Sequence, residues 1–184
     1  MRRSARTSIR VPDAIYFDAN TLAYWAAGRA GSVDPQDQAA HANVEALVEG
    51  DDDLYLSPLT LLELNSTLYK LVRRNEEPHA FFGVQDASGA EQQIMTWIAT
   101  GRIAVPQLGE RAFEVGMSYV AAATRQHGRR VHGWDAIHMF QACRLARQLG
   151  HTVVIATADG DFSTLVAAFP EFGSLVEIRD YAAP

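Results

Sequence analysis

The chain has 184 residues, 48% of them hydrophobic and 21% charged, with a formal net charge of −6 at pH 7. This composition is atypical of a disordered protein, and no apolar run reaches the roughly 18–20 residues that a membrane helix needs. The basic start of the chain lacks the apolar core of a signal peptide. We therefore expect a cytoplasmic protein with a mobile basic N-terminal arm at residues 1–12 and a single domain at residues 13–184.

Short apolar runs alternate with amphipathic stretches along the chain. The runs predict strands at residues 14–18, 54–57, 103–105, 152–156 and 174–178, and the stretches between them predict helices at residues 20–28, 35–49, 58–74, 109–127, 134–149 and 161–168. Residues 75–101 have the least regular pattern, which we interpret as a break and a further helix around Trp97. Strands that alternate with helices predict a three-layer α/β fold, with a mainly parallel central sheet flanked by helices.

Four acidic residues occupy the places where such a sheet binds ligands. Asp18 and Asp159 follow predicted strands, whereas Glu63 and Asp135 lie in the first turns of predicted helices. In an open parallel sheet, strand ends and the following helix starts line one crevice. Four carboxylates gathered there would repel one another unless a cation neutralised them, and hard ions such as Mg²⁺ or Mn²⁺ prefer oxygen ligands. The pattern therefore indicates metal-dependent chemistry on a phosphate.

Each acidic residue also has a simpler interpretation. Asp18 or Asn20 could cap the helix that follows, and Asp135 could be favoured by the dipole of its own helix. Residues 16–22, YFDANTL, partly imitate the nucleophile loop of haloacid dehalogenase-like phosphatases. That loop needs a second Asp where this chain has Asn20, so we do not favour the phosphatase interpretation.

The neighbours of these acids are less clear. Glu63 lies among leucines, so it either faces solvent or has a partner such as a metal. His138 lies one turn after Asp135 on the same helix face, where it is more often an orienting or packed residue than a ligand. Between Asp159 and Asp161 we favour Asp159 as the ligand and Asp161 as a helper or a cap.

The positive charge of the chain is clustered despite the negative total. Arg125, Arg129 and Arg130 fall in one connection and are candidate RNA contacts, although a solvated surface explains them equally well. The single cysteine, Cys143, excludes an intramolecular disulfide and fits a small buried hydrophobic residue.

The order and the sequences of the motifs around these acids resemble those of PIN-domain ribonucleases, most closely the VapC-type toxins of prokaryotic toxin–antitoxin pairs. The resemblance covers residues 14 to about 165. It is strongest in the strings YFDANTL, SPLTLLEL, DAIHM and TADGDF, at residues 16–22, 57–64, 135–139 and 157–162. Residues 75–101 and the C-terminal tail match no part of the family pattern.

The resemblance implies a PIN-like fold with an acidic site for Mg²⁺ or Mn²⁺ formed by Asp18, Glu63, Asp135 and Asp159. It also implies that Asn20 and Thr157 support the site and that Asp161 is an acidic neighbour. The implied activity is endonucleolytic cleavage of RNA that leaves 3′-hydroxyl and 5′-phosphate ends. The implied partners are a second copy of the chain and an antitoxin whose C-terminal segment enters the acidic groove with an Arg or a Lys.

Metal ions can supply an activated water, charge neutralisation and a stabilised leaving oxygen for phosphodiester hydrolysis. This fits a chain without a glycine-rich phosphate loop or a nucleophile elbow. Two alternatives stay open at this point. The chain could be a non-toxin PIN nuclease that acts in RNA maturation or on DNA, or a catalytically silent PIN-like module that binds RNA or protein.

Overall fold

The computed structural model describes residues 12–74, 82–128 and 131–184. The elements in these ranges, in chain order, are β1 (Ala14–Phe17), α1 (Ala19–Arg29), α2 (Pro35–Glu49), β2 (Asp53–Tyr55), α3 (Pro58–Arg74), α4 (Val84–Ala99), β3 (Ile103–Ala104), α5 (Ala112–His127), α6 (Gly133–Leu149), β4 (Val153–Ala156), α7 (Gly160–Ala168), a 3-10 turn (Phe172–Ser174) and β5 (Val176–Arg179). The predicted α/β fold is confirmed. Nearly all of the predicted N-terminal arm lies outside the described residues, and so do Arg129 and Arg130.

The five strands form one sheet in the order β3-β2-β1-β4-β5, and every neighbouring pair is parallel. All five carboxyl ends therefore lie at one edge of the sheet. The register pairs Phe17 with Ala156, so the next residues on these two central strands, Asp18 and Thr157, emerge side by side. This register determines where the site forms.

Side chains of the central strands alternate between two cores, as the pleat requires. Ile15 and Phe17 pack with residues of α1 to α4, whereas Ala14 and Tyr16 pack with residues of α5 to α7. The sheet is thus buried on both faces, which explains why its central strands are uniformly apolar.

Two residues singled out from the sequence belong to these cores. Trp97 is buried and its ring lies 4.9 Å from that of Trp25, so it serves the core in this chain. Cys143 is also buried, and burial raises the pKa of its thiol to about 12. This confirms that Cys143 is a small hydrophobic residue rather than a nucleophile.

Helices α5 and α6 approach each other closely at a glycine. A Cβ atom on Gly116 would lie 2.5 Å from Cγ1 of Ile137 and 3.1 Å from its backbone nitrogen. Helix α5 begins at Ala112, later than predicted, because Gly109 packs on α6 in a turn, with its carbonyl accepting from the Ala112 amide. These contacts position α6, which carries two residues of the site.

Two large apolar residues of α5 are solvent-exposed, although the helical period of the chain favours a buried apolar face. Phe113 is 50% exposed and Met117 is 55% exposed, and the buried positions of α5 are mainly small residues.

Within the described ranges, no helix combines the length and apolar character that spanning a membrane requires.

Candidate metal centre

Asp18 is held at the sheet edge by the strand next to it. Its amide donates to the carbonyl of Ala156 at 3.1 Å, which extends the β1–β4 ladder by one residue. The Thr157 hydroxyl donates to Asp18 Oδ2 at 3.0 Å and accepts from the amide of Asp159 at 3.0 Å. Thr157, which we expected to support the site, therefore contacts both acidic segments through its hydroxyl.

The environment of Asp18 opposes its negative charge. Asp18 is 3% exposed, and burial raises the pKa of its carboxyl. His138, the Thr157 hydroxyl and the Ala19 amide lower this pKa, whereas the Glu63 carboxylate raises it. A cation at this position would favour the ionised form.

Glu63 and His138 bring α3 and α6 together beside Asp18. Nε2 of His138 lies 2.7 Å from Oε2 of Glu63, and its Nδ1 lies 2.8 Å from the Tyr16 hydroxyl and 3.4 Å from Oγ of Ser57. The His138 side chain is fully buried, and that of Glu63 is 26% exposed. The His138 ring is thus packed in the interior, with hydrogen bonds at both of its nitrogens.

The environment of Asp135 also opposes its negative charge. It lies in the first turn of α6 and is 9% exposed, and its buried Oδ2 has no hydrogen-bond partner among the described residues. Burial, followed by the charges of Asp159 and Asp18, raises the pKa of this carboxyl to about 8. An ionised Asp135 therefore needs a positive partner, which is the condition under which a buried carboxylate binds a metal.

The tandem acids at the start of α7 have roles that the sequence alone did not distinguish. Asp159 Oδ1 accepts from the Asp161 amide at 2.8 Å and caps α7, whereas Asp161 Oδ2 accepts from the His132 amide at 3.0 Å. The capping role considered for Asp161 therefore belongs to Asp159. Since that cap uses Oδ1 of Asp159, the carboxylate has a second oxygen for another ligand.

The predicted acids fall into two neighbouring groups of ligand atoms. One group is Asp18, Glu63 and His138, and the other is Asp135, Asp159 and Asp161; within each group one potential ligand atom per residue lies within 4.8 Å of the others. Asp18 and Glu63 also raise the pKa of Asp135, so the groups share one electrostatic environment. Their oxygen-rich donor set and the unpaired Asp135 oxygen fit a hard divalent cation.

Asp18 and Glu63 of the first group and Asp135 of the second line a groove of about 370 Å³. Asn20 lines it together with the carboxylates of Asp18, Glu63 and Asp135. Apolar side chains also line the groove, among them Leu62 and Trp134, which are 70% and 46% exposed.

Comparisons with known proteins identify the architecture. No model of a known protein family matches the chain, and no curated protein matches it. The crystal structure of VapC20 from Mycobacterium tuberculosis, a toxin that cleaves the sarcin–ricin loop, matches with a TM-score of 0.52 and 21% sequence identity, over 82% of this chain and 93% of that one. The chain has a PIN-like fold. The fold expected from the sequence resemblance is thereby confirmed.

The groove of this PIN-like domain also contains residues that sequence reasoning missed. Ser66, Thr67 and Lys70 line it along α3. Together with Glu63 they have the spacing i, i+3, i+4 and i+7, which places side chains on one helix face. That spacing was readable in the sequence, but it becomes informative only once Glu63 is known to face the groove.

The predicted basic contacts have a different outcome. Arg125 is exposed on α5 and is absent from the residues that line the groove of the PIN-like domain. Arg129 and Arg130 lie outside the described residues. The cation that lines the described groove is Lys70.

Proposed function

We propose that this chain is an endoribonuclease that depends on Mg²⁺ or Mn²⁺ and is the toxin of a toxin–antitoxin pair acting in the cytoplasm. One observation carries the proposal above all others. Asp135 presents a buried, unpartnered carboxylate oxygen at the edge of a PIN-like sheet, with further carboxylates close enough to share an ion. Ionisation of such a carboxyl is costly unless a cation binds.

The ligands in this proposal are Asp18, Glu63, Asp135 and Asp159. A bound divalent ion would supply Lewis-acid chemistry to the phosphodiester and its attacking water. Thr157 holds the Asp18 carboxylate by its hydroxyl, and Asp161 anchors the start of α6 through the His132 amide. Asn20 lines the same groove and offers an amide for a water or a phosphate oxygen.

RNA is the proposed substrate because of the fold and the groove together. VapC20, the structural neighbour, cleaves an RNA loop. In this chain the hydroxyls of Ser66 and Thr67 and the ammonium of Lys70 continue from Glu63 along the groove. Phosphate contacts of this kind position a strand without reading its bases. Arg125, Arg129 and Arg130 remain proposed contacts for a longer RNA.

An antitoxin is the proposed inhibitor of this site. The groove combines carboxylates with exposed apolar side chains, among them Leu62 and Trp134. A peptide with an Arg or a Lys between apolar residues complements both features, because a guanidinium or ammonium forms charge-assisted hydrogen bonds with carboxylates. Occupation of the groove by such a peptide would exclude both metal and RNA.

A second copy of the chain is the other proposed partner. Phe113, Met117 and Trp134 form an exposed apolar surface, here called the α5–α6 patch. The rings of Phe113 and Trp134 meet edge to face at a centroid distance of 6.1 Å, and all three side chains are 46–55% exposed. Exposed apolar surface of this kind marks protein interfaces, and this patch lies beside the groove that Trp134 lines.

The test is cleavage of total cellular RNA by the purified, antitoxin-free protein. Reactions contain Mn²⁺, Mg²⁺ or a chelator, and Asp18→Ala is the matched inactive variant. We expect discrete fragments with 3′-hydroxyl and 5′-phosphate ends that disappear with chelator and in the variant. Induced expression should also stop growth in the unsubstituted chain and not in Asp18→Ala.

Other outcomes would replace this proposal. Cleavage of single-stranded DNA in preference to RNA, or cleavage of RNA without any effect on growth, would favour a non-toxin nuclease. Tight RNA binding with neither cleavage nor a metal response would favour a catalytically silent module.

A further inference from the structure

A buried chain of hydrogen bonds connects the sheet to the proposed metal ligand Glu63. It begins at the Tyr16 hydroxyl on β1, passes through the His138 ring on α6 and ends at the Glu63 carboxylate on α3, with distances of 2.8 and 2.7 Å. Tyr16 is 1% exposed and His138 is fully buried. These three residues belong to three different elements, so the connection is a product of the fold.

The direction of each bond follows from the chemistry of the three groups. A phenol is protonated at neutral pH, and burial raises the pKa of Tyr16 further. Its O–H can therefore donate to Nδ1 of a neutral His138 imidazole. An imidazole that accepts at Nδ1 carries its proton on Nε2, and the Nε2–H then donates to Oε2 of Glu63.

The same bonds argue against His138 as a direct metal ligand. Both ring nitrogens are engaged, Nδ1 by Tyr16 with Ser57 Oγ at 3.4 Å, and Nε2 by Glu63. Glu63, in contrast, lines the groove and is 26% exposed. A glutamate side chain has several rotatable bonds, so fixing it on an ion costs conformational entropy. A hydrogen bond that holds the side chain in place before the ion binds lowers this cost.

We propose that His138 is a positioning residue, which holds the Glu63 carboxylate in its ion-binding orientation through an Nε2–H tautomer set by Tyr16. This inference rests on the metal site of the proposed function. Residues that orient a metal ligand from behind typically change metal affinity by about 10–100-fold when they are removed. The inference therefore concerns the affinity and geometry of the site before any RNA is present.

The experiment measures Mn²⁺ binding by titration calorimetry without RNA. Tyr16→Phe removes one oxygen and His138→Leu removes the ring, whereas His138→Gln keeps an amide N–H close to the Nε2 position. We expect binding to weaken about 10–100-fold in His138→Leu, less in Tyr16→Phe, and to recover in part in His138→Gln. Cys143→Ala, a buried change on the same helix, controls for general destabilisation and should keep the original affinity.

Two spectroscopic measurements separate positioning from ligation and from packing. Nitrogen NMR of the metal-free protein should show His138 protonated at Nε2, with the preference weakened in Tyr16→Phe. Pulsed EPR of bound Mn²⁺ should show no histidine nitrogen coupled to the ion. In the double variant Tyr16→Phe/His138→Gln, the two effects on affinity should not add, because the tyrosine acts only through the imidazole.

The contrary results are equally specific. Unchanged Mn²⁺ affinity in folded His138→Leu, or in Tyr16→Phe where the former fails to fold, would overturn the positioning role and leave the proposed nuclease intact. Nitrogen coupling to Mn²⁺ would make His138 a ligand and also overturn it. Absence of Mn²⁺ binding by the unsubstituted protein would instead remove the metal site of the proposed function, and the inference with it.

Discussion

The hydroxyl of Thr157 joins the two acidic segments, since it donates to Asp18 Oδ2 and accepts from the amide of Asp159, both at 3.0 Å. Thr157 is 1% exposed and its bond to Asp18 is buried, so bulk water does not replace that bond when the hydroxyl is lost. The bonded pair Asp18 and Thr157 is 139 residues apart in sequence. Their contact is the point at which β1 and β4 become one site.

Replacement of this hydroxyl should be costly for both stability and metal binding. Thr157→Val has nearly the same shape but leaves the buried Asp18 carboxylate and the partly buried Asp159 amide without this partner, which costs about 1–3 kcal/mol. At about 2–4 °C per kcal/mol for a chain of this size, a clear drop in Tm is expected. Loss of the hydroxyl also raises the pKa of Asp18 further and weakens Mn²⁺ binding. Calorimetric melts and titrations measure both, with Thr157→Ser as the variant that keeps the bond. Equal Tm and affinity in the Val and Ser variants would contradict the bridge.

The raised pKa of Asp135 predicts that metal binding depends on pH. Burial raises this pKa to about 8, so the metal-free protein holds a proton there at neutral pH that an ion must displace. Affinity for Mn²⁺ should rise with pH up to about 8 and then level off, with about one proton released per ion at lower pH. Titration in buffers of different ionisation enthalpy measures this proton, and Asp135→Asn should abolish its release.

The same carboxyl predicts the pH dependence of stability without metal. Its folded pKa exceeds its unfolded value, so the folded state binds more protons between about pH 4 and pH 8 and the free energy of unfolding falls as pH rises through that window. Asp135→Asn should flatten this fall and raise Tm near pH 8, whereas Asp53→Asn, at an exposed acid on β2, should not. A metal-free stability that is flat from pH 4 to 8 in the unsubstituted protein would show that Asp135 is ionised there.

Lys70 should contribute to RNA affinity and not to metal affinity. Its ammonium lines the groove two turns beyond Glu63 on α3. In an Asp18→Ala background that prevents cleavage, Lys70→Ala should weaken binding of any single-stranded RNA and reduce the salt dependence by about one phosphate contact. Arg73→Ala removes an exposed cation on the same helix that is absent from the groove lining. Equal salt slopes in the two variants would exclude a phosphate contact by Lys70.

Met117 tests the proposed dimer surface. A charge in the α5–α6 patch should prevent burial of Phe113 and Trp134 against a second copy, because an unpaired charge in an interface is strongly unfavourable. Light scattering of Met117→Glu should therefore show a monomer. Met95, on α4, is also 55% exposed, and Met95→Glu should keep the oligomeric state of the unsubstituted protein. A dimer that persists in Met117→Glu would place the interface elsewhere.

Substitution by alanine should change the stability of the protein in opposite directions at two helical glycines. Gly116→Ala places a Cβ atom 2.5 Å from Ile137 Cγ1, and overpacking of this kind costs about 1–3 kcal/mol. No described atom lies within 4 Å of the corresponding position at Gly89 on α4, where alanine should add about 0.5–1 kcal/mol through its helix propensity. In thermal melts, we expect a lower Tm for Gly116→Ala and a higher Tm for Gly89→Ala. A higher Tm for Gly116→Ala would contradict the close contact of α5 with α6.

Local sequence patterns were enough to predict the helices and strands and the position of the acidic residues within them. Uniformly apolar runs such as residues 14–17 mark strands buried on both faces, and period 3.6 marks the helices between them. Asp18 at a strand end and Asp135 at a helix start could therefore be assigned to one edge of a parallel sheet before any coordinate was known. This works because secondary structure depends mostly on neighbouring residues, and strands that are joined through helices pair in parallel.

The tertiary structure alone decided which atoms are paired within that edge. Strand order placed Thr157 against Asp18, helix packing through Gly116 placed α6, and the depth of Asp135 left one oxygen unpartnered. The fold likewise decided that Asp159 rather than Asp161 caps α7 and that Phe113 and Met117 of α5 are exposed. Hydrogen-bond partners and burial depend on how elements meet in space, and residues distant in sequence set that geometry, so no local pattern encodes it.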